Sequence, residues 1–317
     1  MNKPEIKTNL EPSGSLPESA GLVIVSANPT SGASDQRRIV SELVSLLEEK
    51  GYEVLIPDSL EKLQEQVRNS QEAGNLRTVV AAGGDGTIGL LANLFRDHVP
   101  FTILPLGTEN LLAKYLQIEC NPETVANSIE KGLFVDIDTG LANGKRFLVM
   151  ASCGFDADVV KQVHEARKGH INHWSYARPI LNSIGSYNFP PLKIETEDGR
   201  ELESKWAFIF NVPRYAMNLP LHAGADTRDG KLDLCTFRAG KLFRGLFYLF
   251  GVFTRQHFKW KDYQTREVTR IRITSEEPVE YQLDGDPGGQ LPVDIEVMPR
   301  SLRLVVPEAF FASESGQ

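Results

Sequence analysis

Val79-Val80-Ala81-Ala82-Gly83-Gly84-Asp85-Gly86-Thr87 decides how this chain is read. Four apolar residues run into a glycine turn that carries one carboxylate and one hydroxyl. Residues 88–96 follow at once with helical character. Apolar strand, glycine turn and helix together aim backbone N–H groups at a phosphate. A side chain on those glycines would hold the phosphate away, and such turns often need a positive φ. The same residues also suit an ordinary tight strand-to-helix turn, because glycine turns are common. The rest of the chain has to decide between the two.

Upstream, Leu22-Val23-Ile24-Val25 is a first apolar strand that runs into Asn28-Pro29-Thr30-Ser31-Gly32. Residues 35–50 place Ile39, Val40, Leu43, Leu46 and Leu47 at helical spacing, and Gly51 stops them. A second strand is expected over 52–56 and a second helix over 60–73. Strand 78–82 leads into the glycine turn. Strand 101–104 ends in Pro105-Leu106-Gly107-Thr108-Glu109-Asn110, followed by helices over 111–116 and 122–131, the latter stopped by Gly132. Strand and helix therefore alternate through about residue 132, which predicts an α/β domain with a doubly wound parallel sheet. Ligands of such sheets sit at the carboxyl ends of the strands. Three polar or glycine-rich turns, at 28–32, 83–87 and 107–110, lie at those ends.

The pattern changes after Val135. Strands are expected over 147–151, 192–196, 206–212, 232–237, 268–274, 279–283, 293–298 and 302–306. Helices are expected only over 156–168, 174–186 and 242–253. This is a second, β-rich, antiparallel, sandwich-like domain. The boundary near residue 137 has no long linker, so a cleft between two closely packed domains is the expected place for a site. Residues 1–20 are polar and rich in Pro, Ser and Glu and read as a disordered tail.

The net charge of −8 argues against a general nucleic-acid binder. Cys120, Cys153 and Cys235 are odd in number and widely spaced, with no CxxC, which argues against a disulfide framework or a zinc site and fits a reducing compartment. No secretory leader and no apolar run of spanning length is present. The expectation is a cytoplasmic protein without a transmembrane span, and its oligomeric state is open.

Four motifs share an order along the chain: Asn28-Pro29-Thr30-Ser31-Gly32, Gly83-Gly84-Asp85-Gly86-Thr87, Pro105-Leu106-Gly107-Thr108-Glu109-Asn110 and Leu283-Asp284-Gly285-Asp286. Together they resemble the diacylglycerol kinase catalytic-domain family, of the soluble bacterial lipid kinase type, whose relatives include sphingosine and ceramide kinases. The resemblance covers about residues 21–307. A glycine turn of this kind is also found in NAD kinases, which remain a rival reading; the first and last motifs argue against them.

The resemblance implies Mg²⁺-dependent transfer of a phosphoryl group from ATP to a lipid hydroxyl, diacylglycerol-like or sphingoid-like, as in phospholipid biosynthesis. It implies an ATP site made of Asn28, Pro29, Thr30, Ser31 and Gly32, of Gly83, Gly84, Asp85, Gly86 and Thr87, and of Gly107, Thr108 and Asn110. Ser59 falls where relatives contact the nucleotide, although it equally suits a helix N-cap. It also implies that the strand 302–306 returns to the first domain. The domains are then 21–137 with about 301–312, and 138–300.

Asp85 is suited to holding Mg²⁺-bound water or to bracing its turn. Asp138 matches an acidic residue that relatives use around catalytic Mg²⁺, with Asp136 as its competitor and strand-end capping as the plain alternative for both. Asp286 stands where the bacterial relatives carry a Glu that takes the acceptor proton; here the side chain is one methylene shorter. Asp284 can support the turn, and the whole segment also suits a simple Asp-Gly β-turn. Asp226, Asp229 and the Lys231 carbonyl resemble a structural Mg²⁺ loop, against a solvated turn. Residues 241–261 mix aromatics with Lys and Arg, as a peripheral membrane contact would, or a core helix with a basic exit. His164, His170 and His173 lack carboxylate or Cys partners at ligand spacing and are read as ordinary polar histidines. Relatives continue the glycine turn with Asn-Glu where this chain has Gly89-Leu90, which raises a second rival: a lipid- or nucleotide-binding module without catalysis.

Overall fold

A computed structural model describes residues 11–27, 34–95, 98–165, 187–213, 225–238 and 263–312. The chain divides into two compact units, Met1–Ile137 with Arg300–Gln317, and Asp138–Pro299.

The first unit contains β1 (Gly14–Ser15), β2 (Leu22–Ala27), α1 (Ser34–Glu49), β3 (Glu53–Leu55), α2 (Leu60–Glu72), β4 (Leu76–Gly83), α3 (Asp85–Leu94), β5 (Pro100–Pro105), α4 (Leu111–Tyr115), α5 (Pro122–Lys131) and the start of β6 (Leu133–Ala142). The strands β5, β4, β2 and β3 are neighbours in that order and run parallel. Arg303 and Leu304, from the last strand of the chain, join parallel to β5. The central strands are mostly apolar because both faces are covered; Val23, Ile24, Val25, Val79, Val80 and Ala81 are fully buried. The helices bury one stripe each, such as Leu63 and Val67 on α2 and Val125 and Ile129 on α5. Local signals set their ends. The Ser59 hydroxyl caps α2, Asn121 caps α5 ahead of Pro122, and Gly132 closes α5 in the left-handed conformation. The chain leaves β2 for β3 on one side and returns to β4 on the other, so the switch point lies between β2 and β4.

Residues 11–20 differ from the expected disordered tail. β1 pairs antiparallel with β6, Gly14 opposite Phe134 and Ser15 opposite Leu133. Leu16 is buried with Phe134 and Val305. The Arg77 guanidinium, 3% exposed, donates to the carbonyls of Leu16, Pro17, Ile129 and Glu130. Backbone pairing needs no apolar side chains, so composition did not announce this segment. Residues 1–10 lie outside the described residues.

The second unit contains β7 (Lys145–Phe147), β8 (Met150–Cys153), α6 (Phe155–Glu165), β9 (Leu192–Thr196), β10 (Glu201–Ser204), β11 (Trp206–Phe210), β12 (Leu232–Phe237), β13 (Tyr263–Val268), β14 (Arg270–Thr274), β15 (Glu280–Leu283), β16 (Asp286–Gln290) and the start of β17 (Val293–Val305). The last helix, α7 (Glu308–Ala312), belongs to the first unit. One antiparallel sheet has the order β13-β12-β11-β8-β15-β16. β10, β9, β14 and β17 form a second antiparallel set. Ala151, Cys153, Ile209, Leu234 and Leu283 of the first meet Leu192, Ile194, Ile271, Ile273 and Ile295 of the second in one core, which is a β-sandwich.

Several element boundaries depart from the expected ones. The strand expected over 147–151 is two, because the N–H groups of Leu148, Val149 and Met150 turn to the Asp284 carboxylate. The strand expected over 268–274 breaks at Thr269, whose N–H goes to the Glu197 carboxylate. The strands expected over 293–298 and 302–306 are one. β16 is not among the expected strands: Pro287, Gly288 and Gly289 suit a turn by composition, yet they form the edge of a sheet, where Pro and Gly are tolerated. The helices expected over 174–186 and 242–253 lie outside the described residues. Among the described residues, no helix is long and apolar enough to cross a membrane.

Candidate functional site

β4 ends at Gly83, Gly84 is the N-cap, and α3 begins at Asp85, three residues before the expected helix. Asp85, Gly86 and Thr87 therefore form its first turn, and no side chain caps Gly84. The N-terminal N–H groups of a ten-residue helix thus open at the carboxyl end of a central strand, next to the switch point.

The turn after β5 is held against this one. The Leu106 N–H donates to the Gly83 carbonyl at 3.0 Å, and Gln36 of α1 donates to the Leu106 carbonyl at 3.0 Å. A Cβ on Gly107 would lie 2.6 Å from the Gly84 Cα, so only glycine permits this approach. Asn110 accepts from the Gly107 N–H at 3.1 Å and donates to the Gly107 carbonyl at 2.8 Å. Asp85 accepts from the N–H groups of Leu111 and Leu112, at 2.8 and 3.1 Å, and so caps α4. Burial raises the Asp85 carboxyl above its ordinary pKa; the two N–H groups oppose that shift, and Glu109 adds to it. Asp85 and Asn110 thus brace the two turns. Gly86 and Thr108 are exposed beside them.

Ser59 serves α2 as its N-cap, accepting from the Lys62 N–H at 3.2 Å. Residues 28–32, with Asn28, Pro29, Thr30, Ser31 and Gly32, lie outside the described residues. So do His170, His173 and residues 241–261.

Asp136 forms a two-pronged ion pair with Arg303 at 2.8 and 2.9 Å. In the second unit Asp138 is fully buried and accepts from the Gly230 N–H at 2.7 Å. It thereby holds the 226–231 loop, the one expected to bind a structural Mg²⁺. Within that loop, Asp226 accepts from the Arg228 N–H and Asp229 from the Lys231 N–H, both at 3.0 Å. The Lys231 ammonium pairs with Glu267. Burial raises the Asp229 carboxyl, opposed by the Lys231 N–H and supported by Asp226, Asp233 and Glu267. Among the described residues, no three His, Cys, Asp or Glu side chains converge as a metal site requires. The loop is held by carboxylates that accept backbone N–H bonds.

Asp284 and Gly285 are the two central residues of the β15–β16 hairpin, with φ of +53° and +87°. Leu283 and Asp286 face each other across it. Positive φ at both positions is the type I′ turn, for which Asp-Gly is a preferred pair. The Asp284 carboxylate accepts from the N–H groups of Leu148, Val149 and Met150 at 2.7–2.9 Å. Asp286 stands exposed at the start of the edge strand. The sequence reading missed Gln282, Ser152 and Asp156, which join this hairpin to α6. The available signal was a glutamine inside the apolar run 279–283.

A parallel sheet with paired glycine turns at the ends of β4 and β5, together with an antiparallel sandwich, is the fold class of the diacylglycerol and NAD kinases. The diacylglycerol kinase catalytic domain matches residues 22–142, and the YegS C-terminal NAD kinase beta sandwich-like domain matches residues 149–306. The chain belongs to the diacylglycerol kinase catalytic-domain family. It is 23% identical to a diacylglycerol kinase of Bacillus subtilis over 290 residues, 89% of this chain and 95% of that one. In fold it resembles a diacylglycerol kinase of Bacillus anthracis, with a TM-score of 0.63 at 17% identity, covering 92% of this chain and 98% of that one. It also resembles an NAD kinase of Archaeoglobus fulgidus solved in complex with ATP, with a TM-score of 0.54 at 14% identity, covering 92% and 96%.

Proposed function

We propose that this chain transfers the γ-phosphoryl group of MgATP to the hydroxyl of a lipid, diacylglycerol-like or sphingoid-like, presented at a membrane surface. The observation that carries this reading is the contact of Gly84 with Gly107 at the ends of two adjacent parallel strands. Two turns without side chains at their contact leave backbone N–H groups to face a phosphate chain. The Mg²⁺ that arrives with ATP offsets the phosphate charge. Phosphoryl transfer asks mainly for positioning and charge neutralisation, which these turns supply.

In this reading the Asp286 carboxylate takes the proton of the lipid hydroxyl as its oxygen bonds to the γ-phosphorus, and ADP leaves. Asp85 keeps the two turns together through α4, and Asp284 keeps the hairpin in place. The experiment is transfer of labelled phosphate from ATP to vesicles containing diacylglycerol, with a total lipid extract and NAD as parallel acceptors. Transfer to lipid that Asp286→Asn suppresses supports the reading; transfer to NAD alone overturns it.

A binding module without catalysis is the second reading. Leu90 is 47% exposed on α3, and a Cβ at Gly89 would meet nothing within 4 Å. The fold therefore does not require the residues that replace Asn-Glu. ATP and vesicle binding without any transfer would favour this reading.

A further inference from the structure

Gln282 is 2% exposed and Ser152 fully buried, and they face each other across β15 and β8. Their neighbours in sequence, Ala151, Cys153, Tyr281 and Leu283, point into the sandwich core. By alternation, Ser152 and Gln282 point to the opposite face of the sheet. There they meet Asp156, in the first turn of α6. The Ser152 hydroxyl donates to Asp156 Oδ2 at 2.5 Å. The Gln282 amide donates to Ser152 Oγ at 3.0 Å and to Asp156 Oδ2 at 3.3 Å. Its own oxygen accepts from the Gly285 N–H at 2.8 Å. Lys161 of α6 pairs with Glu280 of β15 at 2.7 Å, so the helix is fixed to the same strand at a second point.

Apolar side chains would cover this face of the sheet without the desolvation that buried amides and hydroxyls incur. Here each polar group finds its partner, and the series ends on a backbone N–H of the hairpin turn. The turn is held from its other side by Asp284 on Leu148, Val149 and Met150. Gly285 is the residue immediately before Asp286.

We infer that Gln282, oriented by Ser152 and Asp156, is a positioning residue that fixes the direction of the Asp286 carboxylate through the Gly285 N–H. Ser152 Oγ and the Asp156 oxygen together accept from the amide nitrogen, so that its carbonyl end faces the turn; Asp156 also accepts the Ser152 proton, which leaves the Ser152 oxygen turned to the amide as an acceptor. The inference rests on the reading of Asp286 as the proton acceptor.

The test is a double-mutant cycle between Gln282→Leu and Asp286→Asn, read as kcat and KM for ATP on diacylglycerol vesicles. Amide hydrogen exchange across 283–287 is measured on the same proteins. Gln282→Leu is expected to lower kcat about tenfold or more, since small misplacements of a reacting group are costly. KM for ATP should stay within about twofold, and no further loss should appear in the Asp286→Asn background. Exchange at Gly285 and Asp286 should quicken. Asp156→Asn, which retains an acceptor, should restore most of the activity that Asp156→Ala loses. An unchanged kcat in Gln282→Leu, or an equal loss on top of Asp286→Asn, overturns the inference. So does unchanged exchange at Gly285. Full activity in Asp286→Asn, or no transfer by the wild-type chain, overturns the proposed function instead; the exchange result then still decides whether Gln282 holds the turn.

Discussion

The Asp85 carboxylate accepts the Leu111 N–H at 2.8 Å, across 26 residues of chain. The acidic residue of one glycine turn is thus the cap of the helix that follows the other. Asp85→Ala should destabilise the protein by about 1–2 kcal/mol, the usual scale for a lost cap, measured by urea unfolding.

The same residue has a pH signature. Its folded pKa is raised by burial above the unfolded value, so the folded state holds the extra proton in the window between them. The part of its contribution that depends on this proton is fully present below the unfolded pKa and is lost as pH rises through the folded one, while the bonds from Leu111 and Leu112 remain. The stability of the wild type relative to Asp85→Ala should therefore grow as pH is lowered from about 7 towards about 4, read from parallel urea curves.

Gly86 and Gly107 separate scaffold from ligand contact. A Cβ at Gly86 meets nothing within 4 Å, and the residue lies in a helix. Gly86→Ala should hold or raise stability by up to about 1 kcal/mol while weakening ATP binding by calorimetry. Gly107→Ala presses a Cβ against Gly84 and should cost about 1–3 kcal/mol as well as ATP affinity.

Asp284 accepts three backbone N–H bonds at a positive φ. Asp284→Ala should lose about 2–4 kcal/mol, since bonds to a charged acceptor are each worth about 1.5–3 and water replaces part of them. Asp284→Gly should lose less, because glycine adopts the left-handed conformation without strain. Equal losses in the two variants would assign the whole effect to the hydrogen bonds.

Asp286 is exposed at a sheet edge, so its replacement should leave the melting temperature unchanged. Asp286→Asn should lower kcat on lipid by at least about 100-fold. Asp286→Glu, which keeps the carboxylate on a side chain one methylene longer, should keep most of the activity.

Much of the first unit was legible because its signals are local. Apolar runs, helical spacing, Ser59 and Gly132 act within a few residues of themselves, and they placed the elements and the turns at the strand ends. The Asp-Gly pair of the hairpin was legible for the same reason. β16 was not, because Pro287, Gly288 and Gly289 suit a strand only at a sheet edge, and which strand is the edge is a matter of topology.

The sequence by itself determined the parallel first sheet, the β-rich second half and the carboxylates that punctuate both. Only the tertiary structure decided what those carboxylates hold. A carboxylate accepts any N–H within reach, and its partners here lie 26, 92 and 136 residues away: Leu111 for Asp85, Gly230 for Asp138 and Leu148 for Asp284. Asp136 likewise finds Arg303 across 167 residues. No local pattern encodes contacts at such separations, since they exist only after the sheets have brought distant turns together.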